Sequence, residues 1–335
     1  PNACASLTNF KARGVNITKA APMAAGSKTP VPFTAPPRYL VLPAYCRVEG
    51  VIDQRTGAGG EEFGIHFALA MPDPWNGDFL MQGGAGGNGI VYPPIGITAA
   101  GDKPALMRGY AVVSTDTGHT SHNGAFDFSF MKDQQAYLDF AYEANPEVAA
   151  LAKQIIAQYY VRPAAYSYVV GCSTGGREGM VLSQRYPTAF DGIIVGDPAM
   201  RTGLSNLAIG EWIPAAFNQI APRDAAGKPI IAEAITDADR KLFMDALMKQ
   251  CDGIDGVVDG MISDPLACHF DPEVLACGPG QTSSCLAPAT VAAIRKAFGG
   301  PKTSEGIQVY PGFLYDAGIA ATSGIRGILV PGPGI

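Results

Sequence analysis

Residues 168–180, Tyr-Val-Val-Gly-Cys-Ser-Thr-Gly-Gly-Arg-Glu-Gly-Met, constrain the fold more than any other stretch of this chain. A short β-rich run ends at Gly171, and a helical pattern opens just past Ser173. Gly171-Cys172-Ser173-Thr174-Gly175 fits Gly-x-Ser-x-Gly in the strand–turn–helix context that a nucleophile elbow requires. The reason is steric. A sharp strand-to-helix turn holds the serine in a strained backbone conformation, and its neighbours must be small enough for the chains to pass. The N-terminus of the following helix then aims free N–H groups at any negative charge formed there. A glycine-rich turn with an incidental serine is the competing reading.

Around this turn, strand and helix signals alternate. Residues 64–72 place Ile65, Phe67 and Leu69 at period two, the mark of a half-buried strand, with His66 pointing away from the apolar side. Residues 77–84, 110–118, 167–171 and 190–199 read as further strands. Asn145 suits a helix N-cap, Pro146 the first turn and Glu147 the positive end of the dipole. Val148, Ala152, Ile155 and Tyr159 then recur at helical spacing. A second helix is expected through 176–187. This alternation predicts a mostly parallel α/β sheet up to about residue 200. Beyond it strand signals thin out, helical patterns remain at 237–250 and 288–298, and four of the seven cysteines gather. The expected organisation is a catalytic domain over 1–200 and a cap or lid over 201–335.

A nucleophilic serine needs an oxyanion hole. One donor is expected from the backbone N–H of Thr174, and a second from an earlier strand-to-helix loop. Residues 81–89, Met-Gln-Gly-Gly-Ala-Gly-Gly-Asn-Gly, end a strand and can approach a substrate closely. The serine also needs a histidine base and an acid to orient it, which in α/β-hydrolases follow it in the order acid, histidine. His269 is the only histidine after Ser173. It sits beside Cys268 in the cysteine-rich region rather than after a strand, and reads as a surface residue. His119 and His122 stand upstream at a strand end, able to line a pocket but in the wrong order for the base. Asp197 is a conceivable acid, though Gly-Asp-Pro suits a turn. The residues supply a nucleophile and no partner for it.

Composition narrows the function classes. Of 335 residues 47% are hydrophobic, enough to bury a large core. The net charge of −6, with no basic stripe among 24 Lys and Arg, argues against nucleic acid. No apolar run approaches the ~20 residues of a membrane span. Cys4, Cys46, Cys172, Cys251, Cys268, Cys277 and Cys285 form no Cys-x-x-Cys pair, which argues against zinc and for disulfides in an oxidising compartment, extracellular or periplasmic. Seven is odd, so one cysteine pairs elsewhere or stays free. Asn16-Ile17-Thr18 is a glycosylation sequon. Asp252, Asp255 and Asp259 alternate with Gly253, Gly256 and Gly260. Carboxylates this close repel unless a cation lies between them, and calcium accepts six to eight oxygens at about 2.3–2.6 Å, backbone carbonyls included. The EF-hand pattern fails for want of a Glu at its twelfth position, and a solvated Asp-Gly turn is the alternative.

Residues 171–199, GCSTGGREGMVLSQRYPTAFDGIIVGDPA, resemble the tannase and fungal-type feruloyl esterase family, which also includes a bacterial mono(hydroxyethyl) terephthalate hydrolase. Residues 72–89 are similar to the family's oxyanion loop and residues 251–262 to its lid calcium site. The resemblance runs over nearly the whole chain. It implies an α/β-hydrolase fold with an inserted calcium-binding lid, and a secreted serine carboxylesterase working through an acyl-enzyme. Ser173 is then the nucleophile, and the backbone N–H groups of Gly86 and Thr174 form the oxyanion hole. The implied substrate is a small or polysaccharide-linked ester of an aromatic acid: feruloyl, another hydroxycinnamoyl, galloyl or terephthaloyl. No organic cofactor is implied. Calcium would be held by Asp252, Asp255, Asp259 and the carbonyls of Val257 and Met261. The implied disulfides are Cys4–Cys46, Cys251–Cys268 and Cys277–Cys285, with Cys172 bonded to a cysteine that follows the catalytic histidine. That histidine and the catalytic aspartate have no counterpart in this chain. It is therefore expected to be the N-terminal part of a longer enzyme, and the half-apolar stretch 324–335 agrees. Rival readings are another acyl hydrolase or peptidase on this fold, and a non-catalytic α/β-hydrolase relative that only binds.

Overall fold

The computed structural model describes residues 3–31, 36–96 and 103–316; the stretch 324–335 lies outside them. The chain divides into two compact units, Pro1–Met200 and Arg201–Ile335.

The described strands all lie in the first unit: β1 (Val15–Met23), β2 (Lys28–Pro30), β3 (Tyr39–Val41), β4 (Tyr45–Thr56), β5 (Glu62–Pro72), β6 (Phe79–Gln82), β7 (Ala111–Thr115), β8 (Ser167–Cys172) and β9 (Gly192–Gly196). β2 and β3 pair with each other, and the rest form one sheet in the order β1-β4-β5-β7-β6-β8-β9. From β1 to β7 the neighbours are antiparallel; from β7 through β6 and β8 to β9 they are parallel. The sheet is thus mixed rather than mostly parallel. Period two fixes which side chains are buried and says nothing of strand direction. A short connection such as 57–61 returns the chain antiparallel, whereas parallel neighbours need a crossover.

Alternation along the strands builds two cores. Leu69, Met71, Phe79, Met81, Val113 and Val169 share one cluster with Val148, Ala152 and Ile155. Their chain neighbours Ala70, Leu80, Val112 and Val170 join Leu42, Ile95 and Leu106 on the other face. Helix α1 (Gln134–Leu138) runs through a π-helical turn at Asp139–Glu143 into α2 (Ala144–Tyr160). The helix therefore starts upstream of Asn145, which is no cap. Asp133 caps it instead, its side chain accepting from Ala136 N at 2.9 Å. A π turn disturbs the regular backbone pairing, and Arg177 on α3 (Thr174–Arg185) donates to two of its carbonyls, Phe140 O at 3.0 Å and Ala141 O at 3.2 Å.

The second unit carries the α-helices α4 (Thr202–Asn206), α5 (Ile213–Phe217), α6 (Asp237–Cys251) and α7 (Pro288–Phe298), joined by long irregular segments. Thr236 and Asp239 form a capping box at the start of α6, and Pro288 occupies the first turn of α7. Phe217, Phe243, Leu247, Ile294 and Phe298 form its core. Disulfides Cys251–Cys268 and Cys277–Cys285 staple this unit, and Cys4–Cys46 ties the N-terminal turn of the first unit to β4. Among the described residues no helix is long and apolar enough to cross a membrane.

Candidate active site

β8 ends at Cys172 and α3 begins at Thr174, which leaves Ser173 alone in the turn between them. Its backbone sits at φ 58°, ψ −119°, a region that side chains disfavour. Hydrogen bonds hold it there. Ser173 N donates to Gly196 O at 3.1 Å, and Ser173 O accepts from Arg177 N and Ala199 N at 3.0 Å each. Glycines let the backbones close in: a Cβ on Gly83 would lie 2.8 Å from the Cα of Gly175 and 2.9 Å from that of Gly171. The Ser173 side chain is exposed. Cys172 beside it is also exposed and is the one cysteine without a disulfide in this chain.

The loop after β6 lies against the start of α3. Thr174 Oγ1 donates to Gly86 O, and Gly175 N donates to Gly84 O at 3.1 Å. The loop's own N–H groups can be accounted for one by one. Gly83 N donates to Val170 O, Gly84 N to Glu178 Oε2, Gly87 N to Ala125 O, Asn88 N to Ala85 O and Gly89 N to Asp116 O. Ala85 N and Gly86 N donate to nothing among the described residues, and neither does Thr174 N at the head of α3. Unpaired N–H groups beside an exposed hydroxyl are what a developing oxyanion requires. Gly86 needs to be glycine: its φ is +60°, and a Cβ would lie 2.2 Å from Ala125 O.

No histidine among the described residues hydrogen-bonds to Ser173. His66, facing away from the core as its strand pattern indicates, places Nδ1 2.7 Å from Asp116 Oδ2, and that carboxylate raises its imidazole pKa. His119 is buried beneath the loop 83–89 rather than exposed at the strand end. It is 1% exposed, stacked on Phe130 with ring centroids 3.6 Å apart, and desolvation lowers its pKa to about 4. His122 is exposed in the loop after β7, and His269 is exposed in the second unit. Asp197 is exposed in the turn after β9 with a left-handed backbone, φ 41°.

In the acidic loop, Asp252 Oδ1 accepts from Asp259 N and Gly260 N at 3.2 and 3.0 Å. Asp255 Oδ1 accepts from Val257 N, and Asp259 Oδ1 from Met261 N, both at 3.0 Å. Among the described residues no three carboxylates converge as a metal cluster. The donor set is all hard oxygen, which suits calcium rather than a softer ion.

The residue that sequence reasoning missed is Glu178. A glutamate in an amphipathic helix reads as a solvent-facing charge, yet this one is 3% exposed. Only tertiary contacts show it.

The family described as "Tannase and feruloyl esterase" matches residues 46–328. The mono(2-hydroxyethyl) terephthalate hydrolase of Piscinibacter sakaiensis is 38% identical over 301 residues, 84% of this chain and 50% of that protein. The probable feruloyl esterase B-2 of Aspergillus flavus is 30% identical over 298 residues, 86% of this chain and 51% of that protein. The chain thus spans about half the length of these curated relatives. Among solved structures, feruloyl esterase B from Aspergillus oryzae superposes with a TM-score of 0.72 at 26% identity, over 92% of this chain and 58% of that one. That likeness places the first unit's sheet and helices in the α/β-hydrolase fold.

Proposed function

The chain belongs to the tannase and feruloyl esterase family, and on that footing we propose that it carries the nucleophile of a secreted serine esterase acting on esters of aromatic acids. Ser173 Oγ attacks the ester carbonyl while its proton passes to a base. The carbonyl oxygen becomes an oxyanion held by Gly86 N and Thr174 N. Collapse of the tetrahedral intermediate breaks the ester C–O bond, and the alcohol leaves with the proton. Water then attacks the acyl-Ser173 ester, releases the acid and restores the hydroxyl. None of the four histidines hydrogen-bonds to Ser173 among the described residues, and this reading assigns the base to none of them. The observation that carries the proposal is the exposed hydroxyl on a strained turn beside unpaired Gly86 and Thr174 N–H groups. Secretion is supported by the three disulfides.

Steady-state hydrolysis by the native protein tests the reading. Methyl ferulate, methyl gallate and mono(2-hydroxyethyl) terephthalate are compared with methyl butyrate. At least one aromatic ester is expected to exceed the alkanoyl ester about tenfold or more in kcat/KM, through ring burial. Binding of all the aromatic esters without turnover would leave the non-catalytic reading in place.

Calcium at Asp252, Asp255 and Asp259 belongs to the same proposal, with the carbonyls of Val257 and Met261 completing the donor set. Each carboxylate accepts a backbone N–H at Oδ1, and Asp255 is also hydrogen-bonded by Ser263, so an ion here would have to draw the three side chains together and displace Ser263. The ion would anchor the loop after α6 beside the Cys251–Cys268 bridge. Calcium at about a hundred times its Kd is expected to stabilise the native protein by about 3 kcal/mol over the EGTA-treated form. A thermal melt that calcium and EGTA leave unchanged would remove the ion from the account.

A further inference from the structure

Glu178 lies five residues beyond Ser173 on α3, turned inward beneath the loop 83–89. A buried carboxylate costs more than an apolar side chain of the same size unless its surroundings supply donors. Here the donors come from that loop. Gly84 N reaches Glu178 Oε2 at 3.2 Å, and Asn88 Nδ2 reaches Oε1 at 2.5 Å. Burial raises the Glu178 pKa above the usual carboxylate range, and Arg177, Asn88, Gly84 and Asn145, the last buried on α2, oppose that rise by favouring the charged form. The guanidinium of Arg177 is itself committed to Phe140 O and Ala141 O.

The two oxygens therefore grip the loop at two points, Gly84 and Asn88. Between those anchors lie Ala85 and Gly86, the two loop residues whose N–H groups have no acceptor among the described residues. We infer that Glu178 is a positioning residue for ester cleavage: by holding both ends of this segment, it fixes the Gly86 N–H relative to the turn that carries Ser173. The inference rests on the serine-esterase reading above. Glu178 is too deeply buried to touch substrate, and it acts only through the loop. The same contact explains a local oddity. A Cβ on Gly84 would lie 2.5–2.7 Å from the Asn88 side chain, so the loop doubles back tightly enough to present both donors to one carboxyl.

The test measures kcat and KM for an aromatic methyl ester in the native protein. E178M keeps the side chain's length and removes both acceptors. Its kcat is expected to fall about ten- to a hundredfold with KM changed less than about threefold, because an oxyanion donor acts on the transition state. E178Q keeps one oxygen for Gly84 N and is expected to recover part of that loss. N88D sets carboxylate against carboxylate and should lose as much as E178M, whereas in N88D/E178Q the glutamine amide donates to the new aspartate and restores turnover above N88D. Should E178M fail to fold, the N88D and N88D/E178Q pair carries the same comparison. Wild-type kcat in E178M, or no gain in N88D/E178Q over N88D, overturns the inference. S173A is assayed beside them. Activity that survives S173A sinks the serine reading itself, while loss in S173A with full kcat in E178M sinks only the role of Glu178.

Discussion

Replacing Ser173 with alanine is expected to lower kcat by about 10⁶-fold, and replacing it with glycine to do the same while making the protein more stable than the alanine variant. The two substitutions remove the same hydroxyl and differ only in backbone freedom. Ser173 sits at φ 58°, ψ −119°, where a Cβ is strained by an order of 1–3 kcal/mol. Alanine keeps that strain. Glycine relieves it and loses about 0.5–1 kcal/mol through the greater entropy of its unfolded chain. A net gain of about 1 kcal/mol for S173G over S173A follows, readable as a higher urea midpoint. The strain persists because the turn is fixed from both sides, by Gly196 O on β9 and by Arg177 N and Ala199 N. If S173A keeps its turnover, the nucleophile lies elsewhere. A less stable S173G would mean that the turn stores no strain.

What could be read in the sequence follows from what local patterns encode. The turn at 171–175 was legible because its chemistry is local: a β-rich run, small residues, then helical periodicity. α6 and α7 fall within a residue of their expected spans because Thr236 and Pro288 mark their starts. Asn145 misled for a related reason. Asn-Pro-Glu is a good helix start in isolation, and nothing local reveals a π turn whose carbonyls Arg177 satisfies from another helix. Strand direction was invisible because period two is the same in either sense, so the antiparallel run from β1 to β7 went unread. His119 and Glu178 share one limit. Whether a polar side chain points to solvent or into the core depends on what packs over it, here Phe130 in one case and the loop 83–89 in the other.

The second large effect is expected at Gly171, whose own φ lies outside the left-handed region. A Cβ there would lie 2.3 Å from both the carbonyl carbon and the oxygen of Gly175. Neither is a side-chain atom that can rotate away. G171A must therefore push the first turn of α3 off the end of β8. That turn is also wedged from the far side, since a Cβ on Gly175 would lie 2.8 Å from Gly84 O. With no slack on either flank, one methyl group is expected to cost about 3 kcal/mol or more, the upper range for overpacking. It should also lower kcat about a hundredfold, because a shift of about 1 Å in the nucleophile is enough. Gly203 provides the contrast. It lies within α4, where an added Cβ would meet nothing within 4 Å, so G203A should be neutral or stabilise by up to about 1 kcal/mol through helix propensity. Chemical denaturation of both variants separates a steric crossing from a general intolerance of alanine. Equal unfolding midpoints for G171A and wild type would show that β8 and α3 can part without cost, and the packing argument for the turn would fall.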